Sequence, residues 1–372
     1  MKRKIFSILF ALVLMLSFSL VTAVPVGANT WTVDDDGGAD FTTIQAAINA
    51  ANSGDTIIVA AGTYYVTGLS TEIKIRDKSL TLLGAQANVP IVDGERAGDE
   101  SIIRGKRSWE PSGPYPYCIV RIQHSDVVVN GFTIENGRQW IIGIQGPGEG
   151  ISNICVSYNY IVKSGYDGIF RDNAAANVTI DHNYIASNPR GIATNGGATT
   201  ITDNTFYGNG LGIDFNGGDP YSVYFSDYAQ PKYPTLISGN TFTNDSTSIT
   251  LKLDKCHQSI TITGNDITEA RSAAIKTWNT YNIDIVNPAI HYNNIWNNAF
   301  GINNQVEEIN LNATYNWWGH ASGPSGDNGR VNKAGKVIGK GDAVSANVEW
   351  DPWLPQPVNH TPHHLVPPGL LK

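Results

Sequence analysis

The sequence predicts an all-β protein: a single-stranded, right-handed parallel β-helix (a solenoid) with a short N-terminal capping helix. Two repeated phrases carry this prediction. The first sets a hydrophobic residue, an Asn and another hydrophobic residue around Asn159, Asn183, Asn204, Asn240, Asn265, Asn293 and Asn316, in steps of 24, 21, 36, 25, 28 and 23. The second is Gly-Ile, or a small residue and Ile, at Gly168, Gly191, Gly212, Ser248, Ala274 and Gly301. The phrases keep step along the chain. A unit of about two dozen residues cannot bury an apolar face alone, so units must stack. Each unit holds short alternating runs such as "VTI", "TIT" and "SITI", the pattern of strands. As successive turns of one coil, each strand pairs in parallel with its equivalent about 4.8 Å above. The Asn positions then fall at bends, where Asn tolerates left-handed backbone and stacked amides bond to one another. A leucine-rich repeat would need a Leu-x-x-Leu-x-Leu frame, which is absent.

Taken in order, residues 1–28 read as a signal peptide: Lys-Arg-Lys, an apolar run from Ile5 to Val21, then a small-residue exit ending at Ala28. A single membrane anchor is the alternative, and the small-residue exit argues against it. No later stretch is apolar enough to span a bilayer. Losing Lys2, Arg3 and Lys4 takes the net charge from −8 to −11, which gives no attraction for nucleic acid. The β-helix domain is expected over 29–354. Phe41 to Asn52 puts Phe41, Ile44, Ala47 and Ile48 on one face of a helix that closes the core, with Asp40 as its cap. Strands follow at "TIIVA", "LTLLG", "CIVRI" and "DVVVNGFTI"; at the far end "NATYNWWG", a glycine-rich loop and "VEWDPWL" close the coil. From Pro355 to Lys372 a Pro/His-rich tail is expected to be unstructured; its His360, His363 and His364 are either metal ligands or solvated. Cys118, Cys155 and Cys256 have no regular spacing, so buried free thiols are expected rather than a disulfide framework or a zinc site.

The phrase "DDDGGADFTTIQAAINAANSGDTIIVAAGTY", the two repeats and "NATYNWWGHASGP" resemble secreted parallel β-helix proteins of the pectin-lyase-like superfamily. The resemblance covers nearly all of the chain after residue 28. It implies a fold rather than an activity, because that superfamily holds lyases, hydrolases, esterases, epimerases and non-catalytic surface proteins. The Asp-Phe-Ile-Phe-Gly and Gly-Arg-Pro-Trp strings of pectin methylesterases are missing, with "GIDFNGG" a faint echo, and the polygalacturonase motifs are missing too. "TIDHNYI" and "YDGIFRD" are similar to the pectate lyase strings, in reversed order, and the arginine motif is reduced to "SNPRG". From that similarity Asp167 and Asp172 are candidate calcium ligands; the alternative is a bend and a surface acid. No other cofactor is implied.

Function concentrates where the period breaks. The long step from Asn204 to Asn240 carries Tyr221, Tyr224, Tyr228 and Tyr233, and the aperiodic "GERAGDESIIRGKRSWEPSGPYPYC" carries Trp109, Tyr115 and Tyr117. These aromatics either stack on sugar rings or pack their loops. If the Ile of each Gly-Ile phrase points inward, residues one and three places later point outward. That gives one row of Phe170, Ala193, Asp214, Thr250, Lys276 and Asn303, and a second of Asp172, Asn195, Asn216, Lys252, Trp278 and Gln305. Arg171 would point inward in this frame, which predicts a different register in the first coils. The face suits a long polar polymer, with Asn195, Asn216, Trp278, Tyr221, Tyr224 and Tyr228 as binding residues; a merely solvated face is the bland reading. Elimination from a uronate needs a base and a cation beside the carboxylate, roles open to Lys252 and Lys276. Hydrolysis needs paired carboxyl groups, and Asp214 and Asp254 lie roughly a dozen Å apart in this register. The expected function is therefore to bind an extracellular polysaccharide as a secreted or cell-surface monomer, with β-elimination as the form any cleavage would take. The alternative is a non-catalytic surface or matrix protein. Asn177, Asn244, Asn312 and Asn359 begin glycosylation sequons.

Overall fold

A computed structural model describes residues 27–68, 71–106, 117–146, 150–172, 175–196, 198–216, 234–253, 259–280, 285–326 and 339–359. The described strands form three sheets of twelve, nine and eleven strands, and each coil contributes one strand to each sheet in turn. Almost every pairing joins equivalent strands of adjacent coils in parallel; Tyr184–Ala186, for example, lies between Tyr160–Val162 and Thr205–Tyr207. The coil is thus a parallel β-helix, as the period requires.

Side-chain alternation sets the core. In the twelve-stranded sheet Ile180, Ile201, Ile237, Ile262 and Ile290 stack in register and are fully buried. The nine-stranded sheet contributes Ile161, Ile185, Phe206, Phe242, Ile267 and Ile295. The eleven-stranded sheet contributes Ile169, Ile192, Ile213, Ile249, Ile275 and Ile302, the Ile of every Gly-Ile phrase. The glycine has its own reason: a Cβ on Gly191 would sit 2.6 Å from the Gly212 carbonyl of the next coil.

Asn159, Asn183, Asn204, Asn240, Asn265, Asn293 and Asn316 are all buried at the bend between the twelve- and nine-stranded sheets. From Asn183 onward, each Oδ1 accepts the backbone N–H and the Nδ2 of the Asn one coil earlier, at 2.9–3.1 Å. The left-handed residue is not the Asn itself but the one before it. Tyr158, His182, Asp203, Gly239, Gly264, Tyr292 and Tyr315 have φ of 53–69°. A second, shorter ladder at the next bend joins Ser164, Asn188, Asn209 and Asp245, again behind left-handed residues Lys163, Ser187, Gly208 and Asn244.

The structure revises several boundaries. The helix spans Ile44–Ala50 and is capped by Thr43, whose hydroxyl accepts from Ala46 N. Asp40 instead accepts from the Thr32 amide and hydroxyl, and Phe41 bridges to Val33 before the helix begins. "DVVVNGFTI" is two strands, Val127–Asn130 and Phe132–Glu135, broken by a corner at Gly131 with φ 84°. Part of the aperiodic segment is a strand too: Ser101–Gly105 pairs with Gly62–Val66 and Phe132–Glu135. Fully buried Trp318 lies against the strand Gly341–Val344 at the far end. The chain expected to be unstructured from Pro355 stays attached at first, since Val358 exchanges two hydrogen bonds with Asn294. Residues 1–26, His360, His363 and His364 lie outside the described residues. Among the described residues no helix is long and apolar enough to cross a membrane.

Candidate functional site

The outward face of the eleven-stranded sheet is built by strands Trp140–Ile144, Asp167–Arg171, Arg190–Asn195, Leu211–Asn216, Thr247–Lys252, Ala273–Trp278 and Ile302–Asn304. Phe170, Ala193, Asp214, Thr250, Lys276 and Asn303 are paired in that order along successive coils. So are Asn195, Asn216, Lys252 and Trp278. The first row and the four central members of the second stand as the alternation predicts, while Asp172 and Gln305 lie beyond the paired strands. Arg171 also obeys the frame: it pairs with Thr194 and is fully buried, so the register does not change in the first coils. Bonds from its guanidinium to the Thr194 hydroxyl and the Ala175 carbonyl offset part of the cost, and its buried Nε has no partner. Burial nevertheless pulls its pKa down to about 9.

The centre of the face is more enclosed than a solvated surface. Ala193 is 1% exposed, Asp214 8% and Thr250 7%, and the Thr250 hydroxyl has no hydrogen-bond partner. Asn216 donates to Asn195 at 3.4 Å, Lys252 Nζ lies 5.5 Å from the Trp278 ring centroid, and Lys276 is half-buried. Lys252 and Lys276 are diagonal neighbours on adjacent coils, about 8 Å apart at Cα from strand geometry. Asp254, Tyr221, Tyr224, Tyr228, Tyr233, Trp109 and Tyr115 fall outside the described residues.

Charge pairing across coils supplies what the alternation could not. Arg190, the residue before Gly191, donates from Nε and Nη2 to the two carboxylate oxygens of Asp167 at 2.6 and 3.0 Å. Its Nη1 donates to Asp214 at 2.8 Å. Burial pushes the Asp167 carboxyl upward, and this outweighs the pull of its bonds to Arg190. The Tyr166 ring covers the guanidinium with its centroid 4.3 Å from Cζ, and Trp140 stacks on Phe170 at 4.3 Å. Gly143 lies beside that stack, where a Cβ would meet Cys118 Sγ at 2.6 Å. Only the Asp167–Arg190 half was legible, as opposite charges one 23-residue step apart; Asp214 lies three residues past Leu211, the partner of Arg190 in the next coil.

The calcium expectation does not fit this geometry. Asp167 is fully buried with both oxygens on Arg190, and Asp172 lies past the opposite end of the same strand, where its Oδ1 accepts from Gly146 N at 3.4 Å. The described metal-capable group lies elsewhere. Ligand atoms of Asp181, His182 and Asp203 fall within 4.8 Å of one another at the Asn-ladder bend. His182 Nδ1 is already 2.7 Å from Asp181 Oδ2, and that bond raises the His182 pKa. Of the cysteines, Cys118 is free and buried, Cys155 is free but only half-buried, and Cys256 is outside the described residues.

Residues 117–290 match the family model described as right handed beta helix region. The coil is a right-handed parallel β-helix. A search of curated proteins gives no match. Solved structures match this chain at low identity. Pectin methylesterase from carrot is 14% identical, with 75% of this chain and 83% of that chain covered and a TM-score of 0.44. Pectate lyase Pel9A is 10% identical, with 86% and 78% covered and a TM-score of 0.43. The A-module of the Azotobacter vinelandii mannuronan C-5 epimerase AlgE6 is 16% identical, with 83% and 94% covered and a TM-score of 0.40.

Proposed function

We propose that this β-helix is an exported protein that holds an extended extracellular polysaccharide along the outward face of its eleven-stranded sheet. One observation carries the reading. Mostly polar and aromatic side chains stand in in-register rows, over six coils from Phe170 to Asn303 (with Ala193 between) and over four from Asn195 to Trp278. Amides at Asn195 and Asn216, cations at Lys252 and Lys276, and the rings of Trp278 and Tyr166 are the groups that hydrogen-bond, neutralise and stack on sugars. Such a row repeats at the coil spacing, and a hexose advances an extended chain by about the same length.

The enzymatic form of this proposal is β-elimination. Lys276 or Lys252, as the neutral amine, takes the C5 proton beside a uronate carboxylate while the other neutralises that carboxylate; the C4–O bond breaks as the C4–C5 double bond forms, and the departing glycan oxygen takes a proton from water. Carboxylate-pair hydrolysis has less support, because Asp214 is bonded to Arg190. The same bond favours a second reading, a non-catalytic binder, since the described acids of the face are committed to structure. The test is to incubate the exported protein with uronate and neutral polysaccharides, with and without calcium, and follow new double bonds, reducing ends and binding. New double bonds lost in the Lys252→Ala/Lys276→Ala double variant support elimination. Binding without turnover supports the binder. Neither binding nor turnover on any polymer overturns the proposal.

A further inference from the structure

The nine-stranded sheet has an outward face of its own, also built as two rows. Tyr207, Thr243, Thr268 and Trp296 are paired in that order along successive coils. Beside them run Tyr184, Thr205, Thr241, Asp266 and Asn294, and Asn294 bridges to Trp317. Fully buried Phe206, Phe242, Ile267 and Ile295 lie between the rows, so members of both rows point outward. Tyr207 is 46% exposed and Trp296 40%. Three coils separate them, about 14 Å at Cα, and their own row holds only threonines in between. Trp296 is held firmly. Its ring centroid lies 6.4 Å from that of Trp317, a Cβ on Gly319 would sit 2.9 Å from its own Cβ, and the preceding Ile295 N donates to the Trp317 carbonyl at 2.8 Å.

These rings do not form one apolar patch, because Thr205, Thr241, Thr243 and Thr268 stand between them. An interface between two copies of the chain needs a contiguous apolar centre. Rings at both ends of a hydroxyl row instead suit a sugar chain, which offers C–H faces and a rim of hydroxyls. Charge sets the kind of sugar. Across these coils and their bends (residues 203–210, 239–246, 264–272, 292–299 and 315–321) the charge-bearing side chains that are not buried are Asp203, Asp266, Glu269, Arg271 and His320. Lys163, also exposed, stands at the bend two coils before Tyr207. Carboxylates outnumber the permanent cations, so a uronate or sulfated chain meets more like charge than opposite charge. We propose that this sheet is a second carbohydrate-binding face, which takes an uncharged glycan along the coil axis. One pyranose lies on Tyr207 and another on Trp296, and the hydroxyls between them bond to the threonines. The bend that carries Asn188, Asn209 and Asp245 divides this face from the eleven-stranded one, so a straight chain lies on one face or the other. The second face goes beyond the polysaccharide reading above and does not depend on it.

Affinity electrophoresis through gels that contain mixed-linkage β-glucan, xylan, galactomannan or polygalacturonate tests this. At least one neutral polymer is expected to retard the protein, with little change on adding salt. Trp296→Ala and Tyr207→Ala are each expected to weaken that binding about tenfold. Trp296→Tyr keeps a ring and is expected to retain most of it, and Lys252→Ala/Lys276→Ala is expected to leave it unchanged. Circular dichroism of the ring variants checks that the coil is intact. Three results overturn the second face: no neutral polymer bound, neutral binding that survives Trp296→Ala/Tyr207→Ala, or neutral binding lost in the lysine variant as in the ring variants. A parent that sediments as a dimer and becomes monomeric in Trp296→Ala overturns it too, because a second copy then covers the face. Polygalacturonate binding that is lost in the lysine variant but kept in Trp296→Ala leaves the eleven-stranded face standing in every one of these cases.

Discussion

His182 shows how one residue can look chemical and be architectural. It occupies a left-handed slot with φ 53°, stacks on Tyr158 at 4.8 Å and bonds Asp181 at 2.7 Å. The same slot holds Asp203, Gly239 and Tyr292 in other coils, so its demand is conformational. His182→Asn is therefore expected to keep polysaccharide binding and to change stability by less than about 1 kcal/mol, read by denaturant unfolding. The Asp181 bond raises the His182 pKa above its ordinary 6.5. Its contribution to stability is present below that value and is lost as pH rises through the raised folded value. His182→Asn should remove that pH dependence. Arg190 is the opposite case. Arg190→Ala leaves Asp167 buried and unpaired, with an expected loss of about 3 kcal/mol or more in unfolding free energy. It also removes the support under Tyr166, so binding is expected to fall as well.

The Asn ladders belong to the element scale, since each amide is useful only because its equivalent lies one coil away. The long ladder was legible in the sequence because its side chains are chemically identical and nearly periodic. The short one was not, because it runs through Ser164, Asn188, Asn209 and Asp245, and the residue types change. Asp245 is the instructive member. Its Oδ1 accepts from the Asn209 amide and side chain at 2.7 and 3.1 Å, whereas its buried Oδ2 has no partner. An Asn here would present an Nδ2 donor where Asp245 has Oδ2. Burial pushes the Asp245 carboxyl from 3.8 up to about 7, against the pull of the Asn209 bonds and the Arg271 charge. The folded protein therefore binds a proton more tightly than the unfolded chain, and stability is lost as pH rises from about 4 through 7. Asp245→Asn is expected to remove this fall and to be the more stable protein at pH 8, by up to a few kcal/mol. Thermal unfolding across that pH range checks it; parallel curves for the two proteins would contradict the assignment.

At the scale of the whole molecule, a coil in which each turn touches chiefly its neighbours transmits damage only locally. The N-terminal end gives a direct test. Buried Asp55 accepts hydrogen bonds from Asn29 N, Asn52 N and Trp31 Nε1 at 2.8–2.9 Å, tying the first strand to the helix end. Asp55→Ala strands three donors, at a local cost on the order of 3 kcal/mol. Hydrogen exchange is expected to show lost protection from Thr30 to Ala51, with the coils around Asn204 and Asn240 unchanged. Uniform loss along the chain would mean that the coil unfolds as one cooperative unit.

The sequence by itself determined the coil, the inward Ile columns, the Asn bends and the order of both outward rows. All of these follow from a repeat length and a period-two alternation, which are local and read from composition in place. Only the tertiary structure decided which charges meet. Asp167 and Arg190 face each other across one 23-residue turn, and Asp214 is reached because it lies three residues past Leu211, the partner of Arg190 in the next coil. A one-residue slip between their strands would have sent Asp167 and Arg190 to different faces. The structure also decided that Arg171 is buried and that Ala193, Asp214 and Thr250 are enclosed. Burial is a sum over neighbours contributed by other coils, and no single stretch of sequence contains that sum.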